Sequence, residues 1–556
     1  MSTNTSASNL KEWHFGRYIE ERHQVAKLVI RFTSLGELTK KPLVLPYSEV
    51  AYPKKVLTRL MDATADIDPV TDFAALTDRL KNLDTTNGLY LQKVGHHSDV
   101  FVTPLKVYGE SSRLIVVDSE IAEVSSREIG SGGHWRRWTK DVAIPSEGSS
   151  FAMFGIALAL AAPVYRFLSL SDGVIFNFAV RSGFGKSTVG MIAKSVTGQS
   201  RRLPTWKATH RGLDEELAAS SDALFVLDDW EKINVAGKKS AHLQTTCHLI
   251  TTGASKTYSK VVKENLPDLE WCCPVLTCGP HTIEHQAKLD GFQRTDGDRR
   301  RLIDIPIEEK GGLGIWDRVA TDMDTGELSK EVTRAANENY GHLFNRWVKL
   351  MMNDRDEFVE DIENNLDKYF QSNRMHGDGG FENEITKKFG IVYAAGKKAI
   401  DEGLLPWSPK TFRNAVVKLN RAARSTITTD KQAVRSAISA LNEATSDDSA
   451  FPTVNKSANA KFSKGKPVTG FILEDTAGRH LFIDSEVFHK IVGGEPNSKL
   501  LQDKLQEFNA LKKTSEGKGT FQKTVNVAGK HTRIRFMKIE LNAFDETMSK
   551  LVEGTS

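Results

Sequence analysis

Residues 172–192 read DGVIFNFAVRSGFGKSTVGMI, and this stretch decides the class of the protein. The run Val174 to Val180 is apolar and strand-like, the next residues are rich in Gly and Ser, and Val189, Met191, Ile192 and Val196 follow at helical spacing. Strand, glycine-rich turn and helix in that order make a phosphate-cradling loop, because N–H groups at a helix N-terminus point at the anion. The loop pattern asks for glycine five residues before Gly185, and Val180 stands there. Gly183, inside the loop, is expected to supply the missing backbone freedom. On this reading Ser182, Gly183, Phe184, Gly185, Lys186, Ser187 and Thr188 hold the phosphates of ATP. Lys186 brings the positive charge and Ser187 ligates Mg2+.

A second signal comes at residues 223–230, ALFVLDDW, an apolar strand ending in Asp228 and Asp229. Alone, such a strand means little. After the loop, it is expected to lie beside the loop strand, with Asp228 holding Mg2+ through water and Asp229 polarising the attacking water. Most such ATPases carry Glu at the second acid. Asp229 is shorter by a methylene, which predicts slow turnover.

A chain of 556 residues exceeds one core and suggests three or four domains. Its net charge of +4 excludes any global electrostatic argument for nucleic acid or membrane. The four cysteines are Cys247, Cys272, Cys273 and Cys278, three of them crowded on one apolar segment, so a disulfide framework is not expected. Adding His281 and His285 to Cys273 and Cys278 gives no standard zinc spacing, and these cysteines read as buried strand residues. The N-terminus, MSTNTSASNLKEW, lacks the basic start and apolar core of a secretory signal, so a cytoplasmic protein is expected. The most apolar run, Phe151 to Tyr165, contains Pro163 and falls short of the ~20 residues of a bilayer span. It reads as a buried helix, with no membrane.

Along the chain the pattern changes several times. AKLVIRF and RLIVVDSEI are strand-like and PKKVLTRLMDATADI is amphipathic, giving an α+β domain over 1–130. The glycine-rich GSGGHWRRWTKD leads into alternating strands and helices, an α/β P-loop NTPase core over 131–310. Past the turn at Gly311 to Gly314, helical patterns fill 311–445. Residues 446–466 are polar and read as a linker. Residues 467–556 show a helix and then the pair FQKTVNVA and TRIRFMKIE as a hairpin, a winged-helix-like order. Between Leu501 and Leu541 stand nine Lys and Arg against four acids, a local excess in a nearly neutral chain. Lys518, Lys523 and Lys530 are therefore expected to touch a duplex backbone without reading bases, the other reading being a docking module with a solvated lysine face.

Several further strings surround the two core motifs: WRRWTKDVAIPSEGSSFAMFGIALALAAPVY, GFGKST, LPTWKATHRGLDEELAASSDALFVLDD, HLITTGASKTYS, PVLTCGP and GDRRRLIDIPIEE. In order and spacing they resemble a bacterial domain-of-unknown-function P-loop family of phage-like and cassette-type mobile elements, which includes Cch-type, MCM-like AAA+ replicative helicases. The resemblance covers about residues 20 to 310 and, weakly, the C-terminal module. It implies an AAA+-like core assembled as a homo-oligomeric ring, a hexamer, with ATP between neighbouring subunits and single-stranded DNA in the pore. It also implies that Thr277 reads the γ-phosphate and that Arg301 serves the neighbour's ATP, with Arg299 and Arg300 crowding it. The other reading of the triplet is a solvated or nucleic-acid-facing turn. Lys256 and Lys260 fall where a pore loop would grip phosphates, the other reading being an exposed loop with ordinary lysines. His210 departs from the family, which tends to have Asn after Thr209.

The expected function is an ATP-dependent, ring-forming DNA helicase or translocase of a mobile element. The alternative is an AAA+ regulatory or phage-defence ATPase that switches assembly state without unwinding. A small-molecule kinase would need a second substrate pocket, for which the sequence offers no residues.

Overall fold

The structure is a computed structural model, and it describes residues 10–544 other than 11, 22–23, 40–41, 169–172, 202, 234–237, 256–268, 293, 309–312, 320–322, 376–377, 427–429, 466–467, 477, 494 and 515–518. At its centre are four parallel strands, β1 (Ile175–Ala179), β2 (Phe225–Leu227), β3 (Val275–Gly279) and β4 (Leu302–Pro306), in the order β2-β3-β1-β4. Every residue of β1, β2 and β3 is buried, which is why these strands are apolar runs and do not alternate. The order corrects one expectation. The strand ending in Asp228 does not lie beside the loop strand: β3 stands between them, with Thr277 in register with Leu227 on one side and Asn177 on the other. Which slot a strand takes is set by where its crossover returns the chain to the sheet, and no local pattern records that.

One face of the sheet, with Phe176, Phe178, Val226, Leu276 and Cys278, packs on helices α1 (Ser150–Ala161) and α2 (Lys186–Thr197). The other face, with Ile175, Phe225, Leu227 and Val275, packs on Trp206, Leu213, Trp230 and Leu243. All twelve residues of α1 are buried. A helix apolar all round needs cover on every side, and its outer side is covered by α3 (Gly380–Asp401) and α4 (Pro409–Ser425), whose Phe389 ring lies 5.3 Å from Phe154 and 5.2 Å from Phe176. The helical region and the sheet thus share one hydrophobic core. Among the described residues one segment, Ser150–Phe167, has the length and hydropathy of a membrane span, and 89% of it is buried in this core.

Toward the N-terminus, strands Ile115–Val117, Asp84–Leu91, His14–Glu20, Ala26–Arg31 and Leu43–Pro46 form a sheet in that order, with helix Pro53–Asp62 burying Val56, Leu57 and Leu60. Toward the C-terminus, strands β5 (Gly470–Asp475) and β6 (Gly478–Ile483) pair as a hairpin, helices α5 (Ser485–Ile491) and α6 (Glu495–Glu507) follow, and β7 (Phe521–Val527) pairs with β8 (Lys530–Glu540). The polar stretch read as a linker lies along this sheet: Thr453–Val454 pairs with β5, Lys461–Phe462 pairs with β7, and Phe451 and Ala460 are buried. Backbone pairing holds it there, which composition does not reveal.

Phe389→Ala removes the ring that joins the helical layer to both α1 and β1. We expect a loss of about 3–5 kcal/mol, seen as a lowered thermal unfolding midpoint by calorimetry. An unchanged midpoint would mean that the two layers do not share a core.

Candidate nucleotide site

The loop after β1 begins later than the sequence pattern suggests. Val180 is buried and its N–H donates to the Gly279 carbonyl at 3.0 Å, so the position expected to hold glycine is a last rung of the strand. The left-handed conformations fall at Gly183 (φ 94°) and Gly185 (φ 87°), where side chains are strained. At Gly183 a Cβ would meet nothing within 4 Å, whereas at Gly185 it would lie 2.9 Å from Ile315. Helix α2 starts at Lys186, so its free N–H groups and positive dipole end face the loop.

Asp228, just past β2, reaches this loop over the end of β3. Its Oδ1 accepts from Ser187 Oγ at 3.2 Å and from Cys278 Sγ at 3.4 Å, and its Oδ2 accepts from Lys232 Nζ at 2.7 Å. Burial pushes the Asp228 carboxyl up, but the Lys232 hydrogen bond and charge, helped by Cys278 and Ser187, hold it below the ordinary value. Burial pushes the Cys278 thiol up to about 12, so it is a neutral donor. Asp229 has φ 34° and ψ 92°, a strained backbone for a non-glycine residue. Its carboxylate lies 3.7 Å from Lys186 Nζ and accepts from the Glu231 N–H at 3.1 Å.

Thr277 and Cys278 face opposite sides of the sheet. Thr277 Oγ1 accepts from Trp206 Nε1 at 2.9 Å, and Cys278 lies on the α2 side against Asp228. Cys278 and Lys232 are site neighbours that sequence reasoning missed. Lys232 left a signal, four residues after Asp228; the Cys278 contact depends on strand register and left none.

A further missed element is the strap at residues 313–317. The Ile315 N–H donates to the Phe184 carbonyl at 3.1 Å, Ser149 Oγ donates to the Ile315 carbonyl at 2.6 Å, and Lys418 Nζ of α4 donates to Asp317 at 2.5 Å. Between loop and strap is a cavity of about 280 Å³, lined by Ser182 to Thr188, by Leu313, Gly314 and Trp316, and by Thr325, Gly326 and Ser329 of helix Thr325–Glu338.

The arginine triplet lies elsewhere. Helix Asp296–Arg301 precedes β4, and Leu302 is in register with Ile175 at the start of β1. Arg301 is therefore at the opposite edge of the sheet from its own phosphate loop, four steps of about 3.3 Å away or more. Arg299 is buried and pairs with Glu284 at 3.1 Å and Asp296 at 3.0 Å. Arg300 lies 3.6 Å from Glu384, and Arg301 donates to its own helix at the Gly297 carbonyl, 2.9 Å. Buried Arg294 fixes this helix, donating to Asp298 at 2.6 Å and to Asp304 at 3.3 Å, while Asn177 of β1 donates to Asp304 at 2.7 Å.

Lys256, Lys260 and Lys518 lie outside the described residues. Lys523 Nζ sits 4.8 Å from the centre of the Phe482 ring, and Lys530 is exposed at the start of β8. Thr209 caps helix His210–Ala219 by accepting from the Gly212 N–H at 3.1 Å, and the His210 ring is 6.0 Å from that of His242.

Residues 17–263 match the model of a domain of unknown function, DUF927. A solved structure described as SCCmec type IV Cch, active helicase, is similar with a TM-score of 0.64 and 16% sequence identity, covering 96% of this chain and 95% of that one. The two chains share a fold. The likeness runs from end to end and takes in the mixed α and β architecture. No curated protein matches this chain.

Gly185→Ala meets both a left-handed φ and the Ile315 side chain, whereas Gly183→Ala meets only the φ. Binding of a fluorescent ATP analogue is expected to weaken at least about tenfold for Gly185→Ala and less for Gly183→Ala, since a strained φ costs ~1–3 kcal/mol. Equal effects would contradict the strap contact.

Proposed function

We propose that this chain is an ATP-dependent DNA helicase or translocase of a mobile genetic element, working as a ring that hydrolyses ATP between subunits. The observation that carries the reading is the meeting of Ser187 and Asp228, 3.2 Å apart, beside buried Lys186 at the start of α2. A hydroxyl and a carboxylate oxygen suit Mg2+, a hard cation that takes oxygen ligands and keeps several waters. N–H groups at a helix start and a lysine suit the β- and γ-phosphates. Bound Mg2+ would neutralise charge developing on the phosphate oxygens. Ser187 and Asp228 would hold it, Lys186 would leave Asp229 for phosphate, and Asp229, so released, would orient the attacking water. Thr277, the middle residue of β3, would read the γ-phosphate from within the sheet.

The place of Arg301 supports the ring. An arginine at the far edge of the sheet cannot serve its own site and is suited to a neighbour's. Arg299, buried in pairs with Glu284 and Asp296, is better suited to holding the helix. Likeness over 96% of the chain to a structure described as a helicase supports DNA as the track. One observation favours the regulatory alternative: both acids are tied by lysines, Lys232 and Lys186, so nucleotide binding must exchange partners before hydrolysis.

Lys186→Ala is expected to abolish hydrolysis, whereas Asp228→Asn retains much ATP affinity and loses turnover by at least about a hundredfold, read by equilibrium binding beside steady-state ATPase assays. A Lys186→Ala protein that hydrolyses ATP at the wild-type rate would overturn the site.

Mixing Arg301→Ala subunits with Lys186→Ala subunits is expected to recover part of the activity, because a mixed ring contains some intact junctions. Forked-duplex unwinding separates a motor from a switch: the motor reading predicts unwinding and DNA-stimulated ATPase together, the switch reading neither.

A further inference from the structure

The hairpin of β7 and β8 has two chemically distinct faces. Its turn, Ala528 (φ 53°) and Gly529 (φ 84°), is a two-residue turn with both φ positive, the type whose twist fits the hairpin and fixes its register. The register pairs Phe521 with Phe536, Lys523 with Ile534 and Val525 with Thr532 on one face. That face lies on Phe471 and Phe482, with Val525 and Phe536 fully buried. Lys523 belongs to it, its ammonium over the Phe482 ring. The other face carries the pairs Gln522–Arg535, Thr524–Arg533 and Asn526–His531.

These six residues include no acid and no large apolar side chain. Gln522, His531, Arg533 and Arg535 are exposed. Farther along β8 the same face carries Met537 and Ile539, which are buried beneath the helical layer with Leu501 and Leu505 of α6. The hairpin thus projects past its helices, and its uncovered part is the part that carries the basic and amide groups.

We propose that this outer face, centred on Arg533 and Arg535, grips the phosphate backbone of DNA. Alternate residues of a strand are about 6.8 Å apart, and successive phosphates of one B-DNA strand, offset by about 3.4 Å of axial rise plus the helical rotation, lie about 7 Å apart in space, so the two arginines match successive phosphates of the backbone. Gln522, Thr524 and Asn526 are neutral side chains of the kind that bond phosphate oxygens. A protein partner would be expected to find an aromatic or aliphatic anchor at the centre of its interface, and this face has none. The assignment moves the DNA contact from Lys523 to the opposite side of the hairpin. It rests on the DNA part of the proposed function and not on the ATPase site.

The test is fluorescence anisotropy of the full chain with a labelled duplex and with a labelled single strand, from ~50 to ~200 mM salt, with no nucleotide added. Arg533→Ala/Arg535→Ala is expected to weaken duplex binding about tenfold and to reduce the slope of log K against log salt by about 1.8, two phosphates at 0.9 each. Arg533→Lys/Arg535→Lys is expected to keep the slope, and Lys523→Ala to leave it unaltered. A double alanine variant with unchanged affinity and slope, its fold verified by circular dichroism, overturns the proposal. So does a loss confined to the single strand, or a slope that falls with Lys523→Ala instead. Wild-type ATPase is measured in parallel: no hydrolysis with the predicted slope change retains this face and removes the motor, and normal hydrolysis with an unchanged slope does the reverse.

Discussion

Ser187 and Asp228 are 41 residues apart in sequence and 3.2 Å apart in space, and the rest of the site depends on that contact. It exists because the strands are parallel: β1, β2 and β3 all end at one edge of the sheet, so the loops that leave them converge. The same rule separates the arginines from the phosphate loop, since the helix bearing Arg301 enters β4 at the other edge. The phosphate loop and the arginine helix therefore lie at opposite ends of the strands. The ring proposed above rests on this separation, which follows from strand direction.

The phosphate loop is also tied to the helical layer. Ile315 bonds Phe184 on the loop, and two residues later Asp317 bonds Lys418 of α4. Helix α4 in turn covers α1, which packs on the face of the sheet that carries α2. Phe184 is thus linked to the helices by a continuous path of hydrogen bonds and close-packed side chains. The 313–317 strap ties the loop to α4 of the helical region.

What was legible in the sequence was local. Strand, loop and helix at residues 174–196 are contiguous, so their signals reinforce one another, and the apolar strand ending in Asp228 has the same character. The burial of α1 was readable from its uniform apolarity. What was not legible depended on long-range pairing: the slot of β3 between β2 and β1, the side of the sheet on which Cys278 sits, and which arginine of the triplet is buried. Lys523 is instructive because alternation along the hairpin sets it apart from Arg533 and Arg535, yet net charge counts all three alike. The strap at residues 313–317 was hidden because a short glycine-containing stretch has no period by which to recognise it.

The central claim is that the loop after β1 and the acid after β2 form one Mg·ATP site. A crystal structure with a non-hydrolysable ATP analogue and Mg2+ tests it most directly. The predicted result has phosphates against the N–H groups of residues 183–188, the metal on Ser187 Oγ with a water between it and Asp228, and Lys232 displaced from that carboxylate. Nucleotide bound elsewhere, or a metal that leaves the Asp228–Lys232 pair intact, would contradict it.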